Sequence, residues 1–249
     1  MAKKLGELPI PNGQLIGHRG VAGLAAENTL AGFAQAAALG LNWVEFDVQT
    51  CASGEWVLMH DDTLDRTTSG HGLVSKAPYA QIKELGVPQL TTALAYLVDL
   101  KLHPNIEIKI FPENKMGRKE KKLKLQHFLA QLHAAWPSTL PPPLVSSFDL
   151  ETLQILRILN TEIPLGYVIE HLSSELIQMT LQQDFQSLHC NETGVTRALI
   201  HLATQKHLPV LAYTVNDPNR IRTLLESGIT AVFSDMTDNL MQKSLKILP

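Results

Sequence analysis

Trp43-Val44-Glu45-Phe46-Asp47-Val48 reads as a β-strand with two unlike faces. Successive side chains along a strand point to opposite sides, so Val44, Phe46 and Val48 share one face while Glu45 and Asp47 share the other. The pattern returns at Asn105-Ile106-Glu107-Ile108-Lys109-Ile110, with three isoleucines on one face and Glu107 and Lys109 opposite them. The apolar faces suit packing against helices. The charged faces would then point inward, where an unpaired carboxylate is costly.

Around these two segments, short apolar or β-branched runs alternate with longer helical stretches. Strands are expected at 15–18, 43–48, 105–110, 144–147, 164–168, 186–189, 209–214 and 231–234, and helices at 29–39, 91–101, 118–134, 150–159, 174–181, 195–206, 218–226 and 238–246. Such alternation calls for parallel strands joined by right-handed crossovers. Asp149, Ser173 and Asp217 stand where N-caps belong, and Gly40 and Gly228 stand just past helix ends. Eight strand–helix units in 249 residues match the size of a (β/α)8 barrel. A doubly wound open sheet accommodates the same alternation, but its dinucleotide-binding form lacks a G-x-G-x-x-G fingerprint here. The segment 50–90 breaks the rhythm. It is too long for an ordinary connection, holds one further strand at 56–60, and reads as an insertion after the second strand, on the face where a barrel carries its active site.

Composition narrows the class. With 45% hydrophobic residues the chain can bury a large core, and 21 Lys+Arg against 24 Asp+Glu leave a net charge of −3. This balance argues against a dedicated nucleic-acid or membrane-surface binder. Cys51 and Cys190 make no disulfide framework and fit no zinc spacing, so two free thiols are expected. No apolar run of signal-peptide type follows Lys3-Lys4, and no stretch has the roughly 20 apolar residues of a membrane span. The expectation is a cytoplasmic protein forming one domain over 1–249, without stable membrane association.

If the two strands neighbour one another, three carboxylates and one lysine converge. Three close carboxylates cannot all stay ionised without counter-charge, and one lysine does not neutralise them. One divalent cation does, and an all-oxygen set suits Mg²⁺ or Ca²⁺. His18, in Ile16-Gly17-His18-Arg19-Gly20, and His60, in Val57-Leu58-Met59-His60-Asp61, end strands on the same rim. Two histidines beside such a site suggest a general acid and a general base, with Asp61 fixing one tautomer. Arg19 and Lys109 add cations suited to an anionic oxygen group. Together these residues read as phosphoryl-transfer chemistry.

In sequence order, His18-Arg19-Gly20, Glu27-Asn28-Thr29-Leu30, Glu45-Phe46-Asp47-Val48, His60-Asp61, Leu64-Asp65-Arg66-Thr67-Thr68, Val87-Pro88-Gln89-Leu90, Asn105-Ile106-Glu107-Ile108-Lys109, Ser146-Ser147-Phe148-Asp149, Tyr213-Thr214-Val215-Asn216 and Ser234-Asp235 resemble the motifs of the glycerophosphodiester phosphodiesterase family, closest to its compact bacterial cytoplasmic members. The resemblance implies a TIM barrel with a small insertion, and hydrolysis of glycerophosphodiesters to glycerol 3-phosphate and an alcohol. It implies a divalent metal on Glu45, Asp47 and Glu107, an acid/base pair of His18 and His60, and phosphate held by Arg19 and Lys109. The nucleophile it implies is either the neighbouring glycerol hydroxyl or water. Two departures from the family are expected to matter: a shortened stretch around Leu85-Gly86-Val87-Pro88, and Tyr213 where relatives often carry Trp.

Several residues keep two readings. Glu27 either anchors the loop beside an Asn28 cap or steers His18 or Arg19 from behind. Tyr213 contacts substrate or is a barrel-core aromatic, and His189 and Asn191 line the pocket or sit in a solvated loop. Asp235 reads as the cap of the last helix, and Lys119-Glu120-Lys121-Lys122 as a solvated helix face. Two other functions compete with the leading one: a lysophospholipase D-like activity on lysophospholipids, and a non-catalytic barrel that binds phosphate esters or a protein partner.

Overall fold

A computed structural model of the chain, describing residues 8, 10–111 and 116–236, carries nine strands. They are β1 (Gln14–Gly17), β2 (Trp43–Thr50), β3 (Trp56–Leu58), β4 (His103–Ile108), β5 (Leu144–Ser147), β6 (Leu165–Ile169), β7 (Ser187–Asn191), β8 (Val210–Tyr213) and β9 (Ala231–Ser234). All except β3 run parallel, in the order β1-β9-β8-β7-β6-β5-β4-β2, and β1 also pairs with β2. That last pairing closes the eight parallel strands into a TIM barrel, so the open-sheet alternative falls. β3 lies antiparallel on the end of β2, Val48 opposite Leu58.

The α-helices are α1 (Leu30–Ala38), α2 (Tyr79–Glu84), α3 (Leu90–Leu100), α4 (Arg118–Ala135), α5 (Leu150–Leu159), α6 (Ser174–Gln182), α7 (Arg197–Gln205) and α8 (Pro218–Glu226), and 3-10 turns form at Val74–Lys76 and Glu192–Gly194. The strand–helix layer is one large apolar cluster that takes Val44, Phe46 and Val48 from β2 and Ile106 and Ile108 from β4. A second cluster fills the lower barrel interior with Ile16, Trp43, Leu144, Leu211, Ala231 and Phe233. Along β2 the inward series Trp43, Glu45, Asp47 therefore passes from apolar floor to acidic rim in one strand. The insertion owns a third cluster, of Cys51, Val57, Met59, Leu64, Val74, Ala77, Ile82 and Val87. Both cysteines are buried and free.

Asp149, Ser173 and Asp217 cap α5, α6 and α8 as expected, and Gly40 and Gly228 take positive φ. Several readings need correction. The cap of α1 is Thr29, whose Oγ1 accepts from the Gly32 N–H at 3.1 Å, not Asn28. Six-residue α2 was not anticipated, being too short for a helical period to stand out. Lys121 is not solvated: its ammonium is buried against Asp149 at 2.7 Å, the cap of α5, and Glu151 at 2.8 Å, in its first turn. The helix expected at 238–246 lies outside the described residues.

Candidate active site

The β2–β4 register sets Asp47 beside Glu107 and Glu45 beside Asn105. Because both strands are parallel and in phase, Glu45, Asp47 and Glu107 converge, with one carboxylate oxygen from each lying within 4.8 Å of the others. They line a cavity of about 410 Å³ at the C-terminal ends of the strands, which His18, Arg19, His60, Lys109, His189, Asn191 and Tyr213 also line. The residues singled out on the two opening segments thus meet in one place.

The turn after β1 is built tightly. Arg19 has φ 50°, and its backbone N–H donates to Glu45 Oε2 at 2.9 Å. A Cβ on Gly17 would stand 1.9 Å from the Gly20 carbonyl oxygen, so only glycine permits this approach. Asn28, displaced from the capping role, pins Asp47 twice: its Nδ2 donates to Asp47 Oδ2 at 2.9 Å and its Oδ1 accepts from the Asp47 N–H at 3.0 Å. Lys109 Nζ lies 3.1 Å from Asp47 Oδ1 and also pairs with Glu107. Arg19 Nε lies 3.5 Å from Asp47 Oδ2.

Each histidine is held at Nδ1 by a carboxylate, His60 by Asp61 Oδ1 and His18 by Asp235 Oδ1, both at 2.7 Å. The first pairing is the contact through which Asp61 would fix the His60 tautomer. The second was missed, because Asp235 reads in sequence only as a helix cap. Asn216 steadies Asp235, donating from Nδ2 at 3.0 Å. Glu27 Oε1 accepts from Arg19 Nη1 at 3.0 Å, which places it behind Arg19 and not His18.

His189 stands within β7, not in a solvated loop. It is buried, 3.0 Å from Ser187 Oγ, and packs on Phe233. The ring occupies the space that a side chain on Gly166 would need, since a Cβ there would lie 2.4 Å from His189 Nε2. Burial pushes its pKa down to about 3, so it is neutral at physiological pH. Tyr213 ends β8 on the rim. Its hydroxyl donates to the Ile169 carbonyl at 2.9 Å, leaving the ring to face the cavity edge-on to Phe148.

Burial, and then the charge of Asp47, push the Glu45 carboxyl up to about 8. Burial likewise raises Glu107, with Lys109 opposing. Burial would raise Asp47 too, but Lys109, His60 and Arg19 outweigh it and hold it low. Glu45 Oε1 and Asn105 Oδ1 are buried oxygens without a hydrogen-bond partner. Orphaned oxygen, an all-oxygen donor set and two carboxylates that resist ionisation together fit a hard divalent cation. Among the described residues this is the single cluster with metal-ligand geometry.

A phosphodiesterase of Oleispira antarctica, solved with the product sn-glycerol-3-phosphate, superposes with a TM-score of 0.85 at 30% identity, over 95% of this chain and 97% of that one. A glycerophosphodiester phosphodiesterase of Caldanaerobacter subterraneus subsp. tengcongensis is 25% identical over 91% of this chain and 96% of its own length. Human glycerophosphodiester phosphodiesterase 1 is 47% identical over 70 residues, 28% of this chain. The profile of the glycerophosphoryl diester phosphodiesterase family matches residues 18–239, from the first site histidine to beyond its Asp235 partner, and the chain belongs to that family.

Proposed function

We propose that the protein hydrolyses glycerophosphodiesters to glycerol 3-phosphate and an alcohol, using one divalent cation, Mg²⁺ or Ca²⁺, on Glu45, Asp47 and Glu107. The observation that carries this reading is the orphaned Glu45 Oε1 among three converging carboxylates, beside two cations and two carboxylate-held histidines on one rim. The product held by the Oleispira relative supports the same substrate class. When bound, the cation supplies Lewis-acid polarisation of a phosphoryl oxygen.

The remaining chemistry falls to the chain. Arg19 and Lys109 hold the phosphate oxygens. With Nδ1 engaged by Asp61 or Asp235, each histidine directs Nε2 into the cavity. One takes the proton from the attacking oxygen, and the other gives a proton to the departing alcohol oxygen. The Tyr213 and Phe148 rings offer apolar contact to the glycerol carbons. His189, neutral and spent on Ser187, shapes the pocket floor without adding charge. The chain acts as one domain in the cytoplasm on a small water-soluble substrate, without nucleic acid or stable membrane contact. In support, its net charge is −3 and no described helix is long and apolar enough to cross a membrane.

The test is release of glycerol 3-phosphate from glycerophosphocholine and glycerophosphoethanolamine after EDTA treatment, and again with Mg²⁺ or Ca²⁺ restored. Metal-rescued release is expected. Release only from a long-chain lysophospholipid would replace the substrate class, and binding without turnover would replace the enzyme by a phosphate-ester-binding barrel.

A further inference from the structure

Leu64-Asp65-Arg66-Thr67-Thr68 lies in the insertion, between β3 and α2. Leu64 is fully buried in the insertion's own core, and its N–H donates to the Gly72 carbonyl at 2.9 Å. The Thr68 N–H and hydroxyl both return to the Leu64 carbonyl, at 3.2 and 2.7 Å. The turn carrying Arg66 is thereby fixed, and the guanidinium reaches back to the barrel.

There it makes two bidentate pairs at once. Toward Asp61, Nε donates to Oδ2 at 2.6 Å and Nη2 to Oδ1 at 2.9 Å. Toward Glu27, Nη1 donates to Oε2 at 2.7 Å and Nη2 to Oε1 at 2.8 Å. Behind each carboxylate stands a residue of the candidate site: Asp61 Oδ1 holds His60 Nδ1 at 2.7 Å, and Glu27 Oε1 accepts from Arg19 Nη1 at 3.0 Å. The two carboxylates come from different segments, the loop after β1 and the loop after β3. Their only common partner among the described hydrogen bonds is Arg66.

The Arg66 side chain is 47% exposed, and ion pairs so open to water add little to stability. What a planar fork adds is direction. Each carboxylate would otherwise rotate about its last bond, whereas a guanidinium binding two of them edge-on settles which oxygen faces the next residue.

We propose that Arg66 is a positioning residue, whose fork locks Glu27 and Asp61 in place and through them aims Arg19 and His60 at the phosphate. It rests on the hydrolase reading above, so its test includes a readout that needs no turnover. Arg66→Met is expected to lower kcat roughly 10- to 100-fold and raise KM several-fold, as losses behind a site group do. The melting temperature should move little. Arg66→Lys should recover little of either, because an ammonium cannot hold two carboxylates bidentately. The two arms should separate: Asp61→Asn lowering kcat, Glu27→Gln raising KM. In Arg66→Met/Asp61→Asn the kcat loss should not exceed that of the worse single variant. In ring-selective ¹⁵N–¹H spectra of the metal-loaded protein, the His60 Nδ1–H signal bonded to Asp61 should be sharp in the wild type and broadened or lost in Arg66→Met. Wild-type kcat and KM in Arg66→Met, full rescue by lysine, additive kcat losses or an unchanged His60 signal would each overturn the proposal. Should the wild type itself turn over no glycerophosphodiester, the ring signal still decides whether Arg66 holds His60.

Discussion

His18 Nδ1 and Asp235 Oδ1 lie 2.7 Å apart although 217 residues separate them. The contact exists because the barrel closes: β1 pairs with β9, and the residues just beyond the two strands meet on the same rim. Asp235→Asn keeps the size and removes the charge. Burial alone would lower the His18 pKa, and the hydrogen bond to Asp235 is the largest influence opposing it. The variant should therefore have a lower His18 pKa and a less fixed tautomer. We expect kcat to fall roughly 10- to 100-fold, with the His18 limb of the pH–rate profile moved to lower pH. An unmoved profile would show that Asp235 does not set the state of His18.

What the sequence made legible and what it hid divide along one physical line. Period-2 alternation on two strands was enough to bring Glu45, Asp47, Glu107 and Lys109 to one face, because strand geometry is local. His18, Arg19 and His60 followed from their places at strand ends. Asp235 stayed hidden because its partner is set by barrel closure and not by spacing. Lys121 looked solvated because the residues that bury it lie on the next helix. Asn28 and Thr29 are neighbours with equal capping chemistry. Only the approach of β2 shows that Asn28 is taken by Asp47. Arg66 sat inside a quoted motif without a role, since its two partners come from separate loops.

The Asn28–Asp47 pairing predicts a stability effect as well as a functional one. Asn28 has φ 55°, a conformation that asparagine tolerates better than alanine. Asn28→Ala also removes a charge-assisted bond and strands the buried Asp47 N–H. We expect a loss of about 2–4 kcal/mol in urea unfolding, together with a 10- to 100-fold weaker metal affinity by calorimetric titration. Unchanged affinity would mean that Lys109 and Arg19 hold Asp47 without help.

Glu45 separates stability from function. Its carboxyl is buried and pushed up to about 8 by burial and Asp47, so the metal-free fold carries it at a cost. Glu45→Gln should leave the metal-free protein as stable as the wild type or more so. Adding Mg²⁺ or Ca²⁺ at about 100 times the dissociation constant should stabilise the wild type by roughly 2.7 kcal/mol, and the variant far less. Melting curves in EDTA and in excess metal measure both. Equal metal-induced shifts in the two proteins would remove Glu45 from the ligand set.

His189 gives the fold an acid sensitivity of its own. In the folded chain its pKa is pushed down to about 3 by burial, against 6.5 for an exposed histidine. Between these values the unfolded chain binds a proton that the folded chain refuses, so unfolding is favoured as pH falls. The loss begins as pH drops through 6.5 and is complete near 3, at no more than about 1.4 kcal/mol per pH unit. His189→Asn should be less stable at pH 7, because it empties the space against Phe233 and Gly166. Its stability should then decline less steeply on acidification, so that the gap to the wild type narrows from pH 7 to pH 4. Urea unfolding of both proteins in EDTA at several pH values in that range reads the difference directly, because the carboxylates titrate alike in the two chains. Parallel slopes would mean that the ring finds a proton acceptor or water on folding and is not held neutral by burial.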